Sequence, residues 1–317
     1  MYNYLDFEKP VADLDGQIFE LKKLKQAQDG LDTDEEIQRL EKRSNQALRD
    51  LYKKLTPWQK AQVARHPDRP HCLDYLNHLF SDVTPLAGDR KFGEDEALLA
   101  GMARFRGEAV VFLGQEKGYD TQTRLRHNFG SARPEGYRKA VRIMEMAQRF
   151  SLPVISLVDT AGAYPGVSAE ERGQAEAIAR STAAMLDLTI PVISVIIGEG
   201  GSGGAIAIAS ANKVYMLEHA IYSVISPEGA ASILWRDATR ARDAATNMRI
   251  TAQDLYELKI IDGIIEEPLG GAHRDSRTVM MSTGETIAIA LQEMVGQDGE
   301  SLKQQRWQKY LEIGRNL

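Results

Sequence analysis

The stretch GEGGSGGA, residues 198–205, follows the apolar run VISVII and precedes AIAIASA, and its glycines admit three chemistries. Read as G-x-G-x-x-G, it places Gly198, Gly200 and Gly203 before an acid, Glu218, at about the 20-residue spacing of a dinucleotide site. Read as G-x-S-x-G, it sets Ser202 in a nucleophile elbow, with Asp262 and His273 following in the chain order of acid and base. Read for its backbone alone, a glycine-dense strand-to-helix turn exposes N–H groups that can hold an anion formed during reaction.

The surrounding sequence separates the three. A dinucleotide unit needs a longer helix than AIAIASAN, which gives about two turns before the strand KVYML begins, so Glu218 reads as a strand-terminal surface carboxylate. Against the elbow, four glycines flank Ser202 and favour close backbone approach, and LGGAHRD supplies no element to orient His273. Ser202 then reads as a small residue opening a helix. Asp159 and Glu199 are the carboxylates within the glycine loops and read as loop-structuring groups. His66, His71 and Cys72 cluster in sequence, but the prolines of HPDRPH make a turn, and the segment reads as a helix stop and linker.

Bulk properties exclude other classes. Among 317 residues, 43% are apolar and 26% charged, the composition of an ordinary globular protein. A net charge of −6 offers no basic excess to displace counterions from nucleic-acid phosphates. No apolar run approaches the ~18 residues of a membrane span, and MYNYLDFEKP lacks the order of a secretory signal; a cytoplasmic location is expected. One cysteine, Cys72, excludes an internal disulfide and a multi-cysteine zinc site.

The elements around the loop follow from periodicity. Val11, Leu14, Ile18 and Leu21, then Ile37, Leu40, Ala47, Leu51 and Leu55, recur at helical spacing on either side of QDGLD and predict a helical hairpin. Thr33 and Glu36 predict a capping box for its second arm. Thr56, Pro57 and Trp58 open a short third helix. ALLAGMARF and EAVVFLG read as strands meeting at a tight turn on Arg106 and Gly107. Residues 134–150 form an amphipathic helix with Val141, Met144 and Ala147 toward the core, joined by Met146 or Phe150. An internal echo follows: PVIS at 153–156 and again at 191–194, each opening a strand, a glycine loop and a helix. A weaker third variant runs through KVYMLEHAIYSVISPEGAASILW, with its helix opening at Glu228. TAQDLYELKIIDGIIEE adds a helix and a strand, and residues 284–312 a final helical region.

The segments AGDR, FGSARPEGYRKAVRIMEMAQRF, VDTAGAYPGVSAEERGQAEAIAR, IGEGGSGGAIAIA, YSVISPEGAASILW and EPLGGAHR resemble those of the bacterial acetyl-CoA carboxylase carboxyltransferase α-subunit family. The resemblance runs from LDFEKP to about His273. One departure is Ala161, where the family usually has proline; the loop gains an N–H and some freedom.

The resemblance implies an α/β, crotonase-like superhelix of ββα units at residues 81–283, preceded by an N-terminal hairpin and linker (1–80) and followed by a C-terminal helical extension (284–317). It implies carboxyl transfer from carboxybiotin, borne on a biotin carboxyl carrier protein, to acetyl-CoA, giving malonyl-CoA for fatty-acid synthesis. A β subunit of the same fold, carrying a four-cysteine zinc ribbon, would complete an α2β2 complex working with biotin carboxylase; no metal is expected in this chain. The amides of Gly203 and Gly204 would stabilise the biotin anion, and Gly200, Gly201, Gly162, Tyr164 and Pro165 would bind the cofactor on the biotin side, with SPEG at 226–229 at its border. No G-x-x-x-x-G-K-[ST] loop occurs, which leaves ATP to the separate biotin carboxylase. Two rivals remain beside the Ser202 hydrolase: an acyl-CoA hydratase or hydrolase on the same fold, which needs a poised carboxylate, and a non-catalytic scaffold.

Overall fold

The repeated Pro-Val-Ile-Ser becomes two neighbouring strands, Val154–Thr160 and Val192–Gly201, paired in parallel so that each residue lies beside its copy: Val154 with Val192, Ile155 with Ile193, Ser156 with Ser194. Both strands are buried almost throughout, which is why each reads as an unbroken apolar run rather than an alternation. The computed structural model describes residues 2–27 and 33–315.

From the N-terminus, α1 (Lys9–Ala27) and α2 (Asp34–Tyr52) form the expected hairpin, closed along Ile18, Ile37 and Leu40. Its connection, QDGLD, lies outside the described residues. The capping box expected at Thr33 and Glu36 is not formed. Thr33 sits at φ −115°, ψ 8° and its side chain accepts no amide, because an N-cap side chain reaches the first-turn amides from extended backbone; Glu36 instead pairs with Arg39 on the surface. Helix α3 (Pro57–Ala64) does begin as expected, with Thr56 Oγ1 accepting from the Gln59 amide.

Helix α4 (Cys72–Leu79) leads into the antiparallel strands β1 (Phe80–Pro85), β2 (Leu98–Phe105) and β3 (Glu108–Gln115). The β2–β3 turn places Arg106 at φ 51° and Gly107 at φ 88°, the positive angles of a two-residue hairpin turn matched to strand twist. Helices α5 (Thr121–Arg126) and α6 (Pro134–Phe150) follow, then β4, the first echo strand (Val154–Thr160). Along α6, Val141, Met144 and Ala147 are buried, while Phe150 lies exposed at its end.

Next come α7 (Val167–Glu171), α8 (Gln174–Asp187), β5 (Val192–Gly201) and the eight-residue α9 (Ser202–Ala209). The third variant gives β6 (Lys213–Leu217), β7 (Ile221–Ser223) and α10 (Pro227–Trp235). Helix α10 opens at Pro227, one residue before the expected Glu228, because Ser226 caps the Gly229 amide. Helices α11 (Ala241–Asn247) and α12 (Ala252–Glu257) precede β8 (Gly263–Ile265). The C-terminal region is two helices, α13 (Ser276–Met294) and α14 (Gly299–Glu312), the first running across residue 284. One mixed sheet joins the strands in the order β1-β2-β3-β4-β5-β6-β8, with β7 added beside the far end of β5.

The two echo serines have a structural task. Both lie inside the sheet, and both Oγ atoms donate to the Ile208 carbonyl in the last turn of α9, where carbonyls lack intrahelical donors. Ser181 Oγ donates to Ala207 at 2.7 Å and the Tyr310 hydroxyl to Ala209 at 3.0 Å.

Helix α14 docks through Arg306, a fully buried cation. Its guanidinium donates to the carbonyls of Met185, Leu186, Leu188 and Ile190 and to Asn212 Oδ1, and burial pulls it down to about 10. Arg306→Met should lower unfolding stability by about 3 kcal/mol, since each lost charged hydrogen bond strands a buried carbonyl. Chemical denaturation of the purified chain measures this, and an unchanged midpoint would mean that the guanidinium does not hold α14.

Candidate active site

The glycine stretch spans the end of β5 and the start of α9, as its flanking residues predict. Gly201 is the N-cap and offers no side chain to the first turn, so the amides of Ser202, Gly203 and Gly204 have no intrahelical acceptor and face the positive end of the helix dipole. Ser202 holds φ +52°, a strained angle for a residue with a side chain.

Close approach explains the glycines better than freedom does. A side chain at Gly201 would overlap the Ala161 backbone and sit 2.7 Å from the Gly162 amide. One at Gly204 would lie 2.8 Å from the Ala163 amide, 2.9 Å from the Gly162 carbonyl carbon and 3.0 Å from the Tyr137 hydroxyl. The loops TAGAYPG and GEGGSGG therefore meet backbone to backbone, bringing Gly162, Gly201 and Gly204 together. Gly203 is half-buried and faces Ile178 of α8, and Gly200 makes room for the Tyr222 ring of β7. Tyr164 turns back toward Gly166 and carries the Arg133 guanidinium 4.6 Å over its ring, while Pro165 is exposed.

Gln115, at the end of β3, fixes this junction. Its Oε1 accepts the Asp159 amide at 3.1 Å and its Nε2 donates to the Gly204 carbonyl at 2.8 Å. No motif in the sequence singles out Gln115. Its signal is position: a polar group closing a buried strand lies at the edge where the C-terminal ends of the parallel strands gather.

Beneath the turn lies an ionic floor. Asp159 Oδ1 accepts the Glu199 amide at 2.9 Å and pairs with Lys117 at 2.8 Å, while Oδ2 lies 3.3 Å from His71 Nδ1. Glu199 binds Lys117 at 2.8 Å and Arg65 at 2.6 Å, and Arg65 reaches on to Glu228. Burial alone would raise both carboxyls and lower Lys117; opposite charges reverse all three directions, so that Asp159 and Glu199 fall and Lys117 rises. A carboxylate held ionised by such partners is not a poised proton acceptor. A cavity of about 240 Å³ opens beside this floor, lined in part by Arg65, His71, Lys117, Phe129, Ala161 and Glu199. Gly203 and Gly204 lie outside it.

The segment HPDRPH is more than the linker expected. Arg69 donates to the Ile197 carbonyl of β5 at 2.8 Å and grips Glu267 with both Nη atoms, each side chain almost wholly buried. Burial would raise the Glu267 carboxyl, but Arg69 holds it down to about 2. His66 stacks on His273 with ring centroids 3.7 Å apart, and His71 reaches Asp159. Prolines do interrupt the helix here, but they direct cations inward, which periodicity alone does not register.

The rival constellations come apart. Asp262 accepts the Val214 amide at 2.7 Å and pairs with Lys309, while His273 stays in its stack, so neither joins Ser202. Glu218 accepts the Glu267 amide at 3.1 Å, and only three residues separate the end of α9 from β6, too short for a dinucleotide unit. Among the described residues, no group of three His, Cys, Asp or Glu is arranged to hold a metal ion, and no helix is long and apolar enough to cross a membrane.

Residues 4–314 match the family described as acetyl co-enzyme A carboxylase carboxyltransferase-like. A protein of Bartonella tribocorum named acetyl-coenzyme A carboxylase carboxyl transferase subunit alpha is 77% identical over 317 residues, all of both chains. Among solved structures, transcarboxylase 12S shares a TM-score of 0.58 at 21% identity, covering 71% of this chain and 41% of that one. A Pseudomonas malonate decarboxylase hetero-tetramer in complex with coenzyme A shares a TM-score of 0.57 at 17% identity, covering 68% of this chain and 86% of that one. These structural likenesses establish the crotonase-like α/β fold.

Removing the cation shared by the two loop carboxylates tests the ionic floor. Because both carboxyls are depressed on folding, their contribution is complete above the ordinary values near about pH 4 and is lost as pH falls through the folded ones. Lys117→Met should cost about 3–5 kcal/mol and raise both carboxyls, so thermal stability should begin to fall at a higher pH than in the wild type. Superimposable melting-against-pH curves would show that the floor is not ionic.

Proposed function

The chain belongs to the acetyl-coenzyme A carboxylase carboxyltransferase family, and on that premise we propose that the first-turn amides of α9 are its catalytic groups. Its activity is carboxyl transfer to acetyl-CoA as the α subunit of an acetyl-CoA carboxylase. In the reading proposed, carboxybiotin on a biotin carboxyl carrier protein is the donor and malonyl-CoA the product. Biotin carboxylase supplies the loaded carrier. A β subunit bearing the zinc ribbon completes an α2β2 complex in the cytoplasm.

The observation that carries the reading is the backbone of Gly203 and Gly204, held at a helix N-terminus with no side-chain cap. When the N–carboxyl bond breaks, carbon dioxide leaves and negative charge passes to the ureido oxygen of biotin. Amides already aimed at that position stabilise it without reorganising. The ureido anion takes a proton from the acetyl methyl, and the resulting enolate attacks carbon dioxide, forming the new carbon–carbon bond. No side-chain base is required of this chain, which accords with Asp159 and Glu199 being bound to cations. A hydratase or hydrolase would need one of them free.

Gly200 and Gly201 shape the turn, and Gly162 meets it from the facing loop, whose Tyr164 and Pro165 form the wall of the biotin side. The enolate is stabilised by the β subunit across the interface.

Two outcomes check this. Gly203→Val, where a side chain meets only the movable Ile178, should lower kcat on the order of 10²-fold while the complex with the β subunit still forms on gel filtration; near-normal turnover would remove the turn from the chemistry. Transfer between malonyl-CoA and free biotin should be absent from the purified chain and appear on adding the β subunit. Activity from this chain alone would contradict a shared site.

A further inference from the structure

Helix α8 turns one stripe inward, Gln174, Ala177, Ile178, Ser181 and Met185, at the spacing of a single helix face. Two members of the stripe meet α9. A side chain on Gly203 would lie 3.1 Å from Ile178 Cγ2, and Ser181 Oγ donates to the Ala207 carbonyl at 2.7 Å. The pairs ascend together, 178 with 203 and 181 with 207, so the two helices run side by side.

The first member of the stripe grips the other glycine loop. Gln174 Nε2 donates to the carbonyls of Ala132 at 2.9 Å and of Tyr164 at 3.0 Å, and the Tyr164 amide donates to the same Ala132 carbonyl at 3.0 Å. One side-chain amide therefore ties TAGAYPG to the segment that leads into α6. Gln174 is 4% exposed, and its Oε1 has no partner among the described residues. A buried acceptor left unpaired is a standing cost, one that methionine or leucine at this position would not carry. What glutamine supplies against that cost is the pair of bonds made by Nε2.

Gln174 and Ile178 lie one turn apart on the same face, about 6 Å along the helix axis. The helix is itself fixed at both ends. Arg172, just before it, pairs with Glu135 at 2.6 Å, and Arg306 holds the carbonyls of Met185 and Leu186 at its close. The loop carrying Tyr164 and the first turn of α9 are thus referenced to one rigid element. Gly162, at φ +149° with open space beside it, gives that loop a freedom which the Gln174 bonds remove.

We propose that α8 sets the width of the donor site, and that Gln174 is the positioning residue that holds the Tyr164 wall at a fixed distance from the amides backed by Ile178. This deepens the function proposed above and rests on it for the identity of the donor. Gln174 acts through the Tyr164 carbonyl and meets no substrate.

The test uses the assembled complex with the β subunit and two variants: Gln174→Met, which keeps the length and loses both bonds, and Gln174→Glu. Exchange between malonyl-CoA and free biotin is followed. In Gln174→Met the KM for biotin should rise about tenfold, the scale of the lost hydrogen bonds, with kcat lowered less and the KM for malonyl-CoA unchanged. Preference for biotin over desthiobiotin, which lacks the second ring, should shrink, because a wall no longer held cannot measure the ring. Gln174→Glu should match Gln174→Met at alkaline pH, where a carboxylate donates to neither carbonyl, and recover relative to the wild type as the pH falls and the carboxyl gains a proton. Hydrogen–deuterium exchange gives a readout independent of turnover: loop 161–166 should exchange faster in Gln174→Met while α9 keeps its wild-type rates.

An unchanged KM for biotin in Gln174→Met overturns the inference. So does an equal rise in the KM for malonyl-CoA, which would make Gln174 a general structural residue, and so does a Gln174→Glu deficit that deepens as the pH falls. A wild-type complex that never exchanges with biotin, while the loop still loosens in Gln174→Met, would sink the proposed function and leave the hold of Gln174 on the loop standing.

Discussion

A short apolar helix cannot hold its own position, and α9 does not have to. Its carbonyls are captured in turn by Gln115, Ser181, the paired Ser156 and Ser194, and Tyr310. These donors come from β3, α8, β4, β5 and α14, so most of the fold converges on eight residues. With its carbonyl end so firmly held, the helix presents uncapped amides at the other end in one fixed direction. Preorganisation of that kind is what lets backbone dipoles act on a developing charge.

The two glycine loops supply the complementary constraint. Their backbones touch where any side chain would collide, and the charged layer below ties each loop to the other through Lys117 and through the Glu199 amide on Asp159. The glycines make the contact possible and the ions make it directional. Acids in this layer are bound as ions, and the role proposed for the main chain asks no proton transfer of them. Arg69 extends the bracing outward by joining β5 to the loop carrying Glu267.

Much of this was legible in the residues. The PVIS echo predicted two equivalent units, and the strands pair copy against copy, because equal strand–loop–helix units wound in sequence bring equal positions side by side. The turn at Arg106 and Gly107 and the start of α3 followed from local backbone chemistry, which acts over a few residues. What escaped was long-range. Lys117 and Gln115 stand in sequence between a strand and a loop, and nothing nearby announces that Asp159 and Gly204 will meet them. The contacts that HPDRPH makes beyond stopping the helix escaped for the same reason, since its partners Ile197, Asp159 and Glu267 lie far along the chain. Thr33 shows the opposite error: a correct local pattern overruled by the conformation the chain adopts after its connection.

The placement of α14 carries one more implication. Arg306 anchors it on the carbonyls that end α8, and Tyr310, a turn later, touches the last residue of α9. The tail is thus mechanically in series with the first turn of α9, although it lies at the helix's other end. Proteolytic nicking just before Gly299, or a bulky fusion that pries the last helix loose, would slacken α9 from behind and, on the function proposed, lower turnover without disturbing the groups proposed to meet substrate.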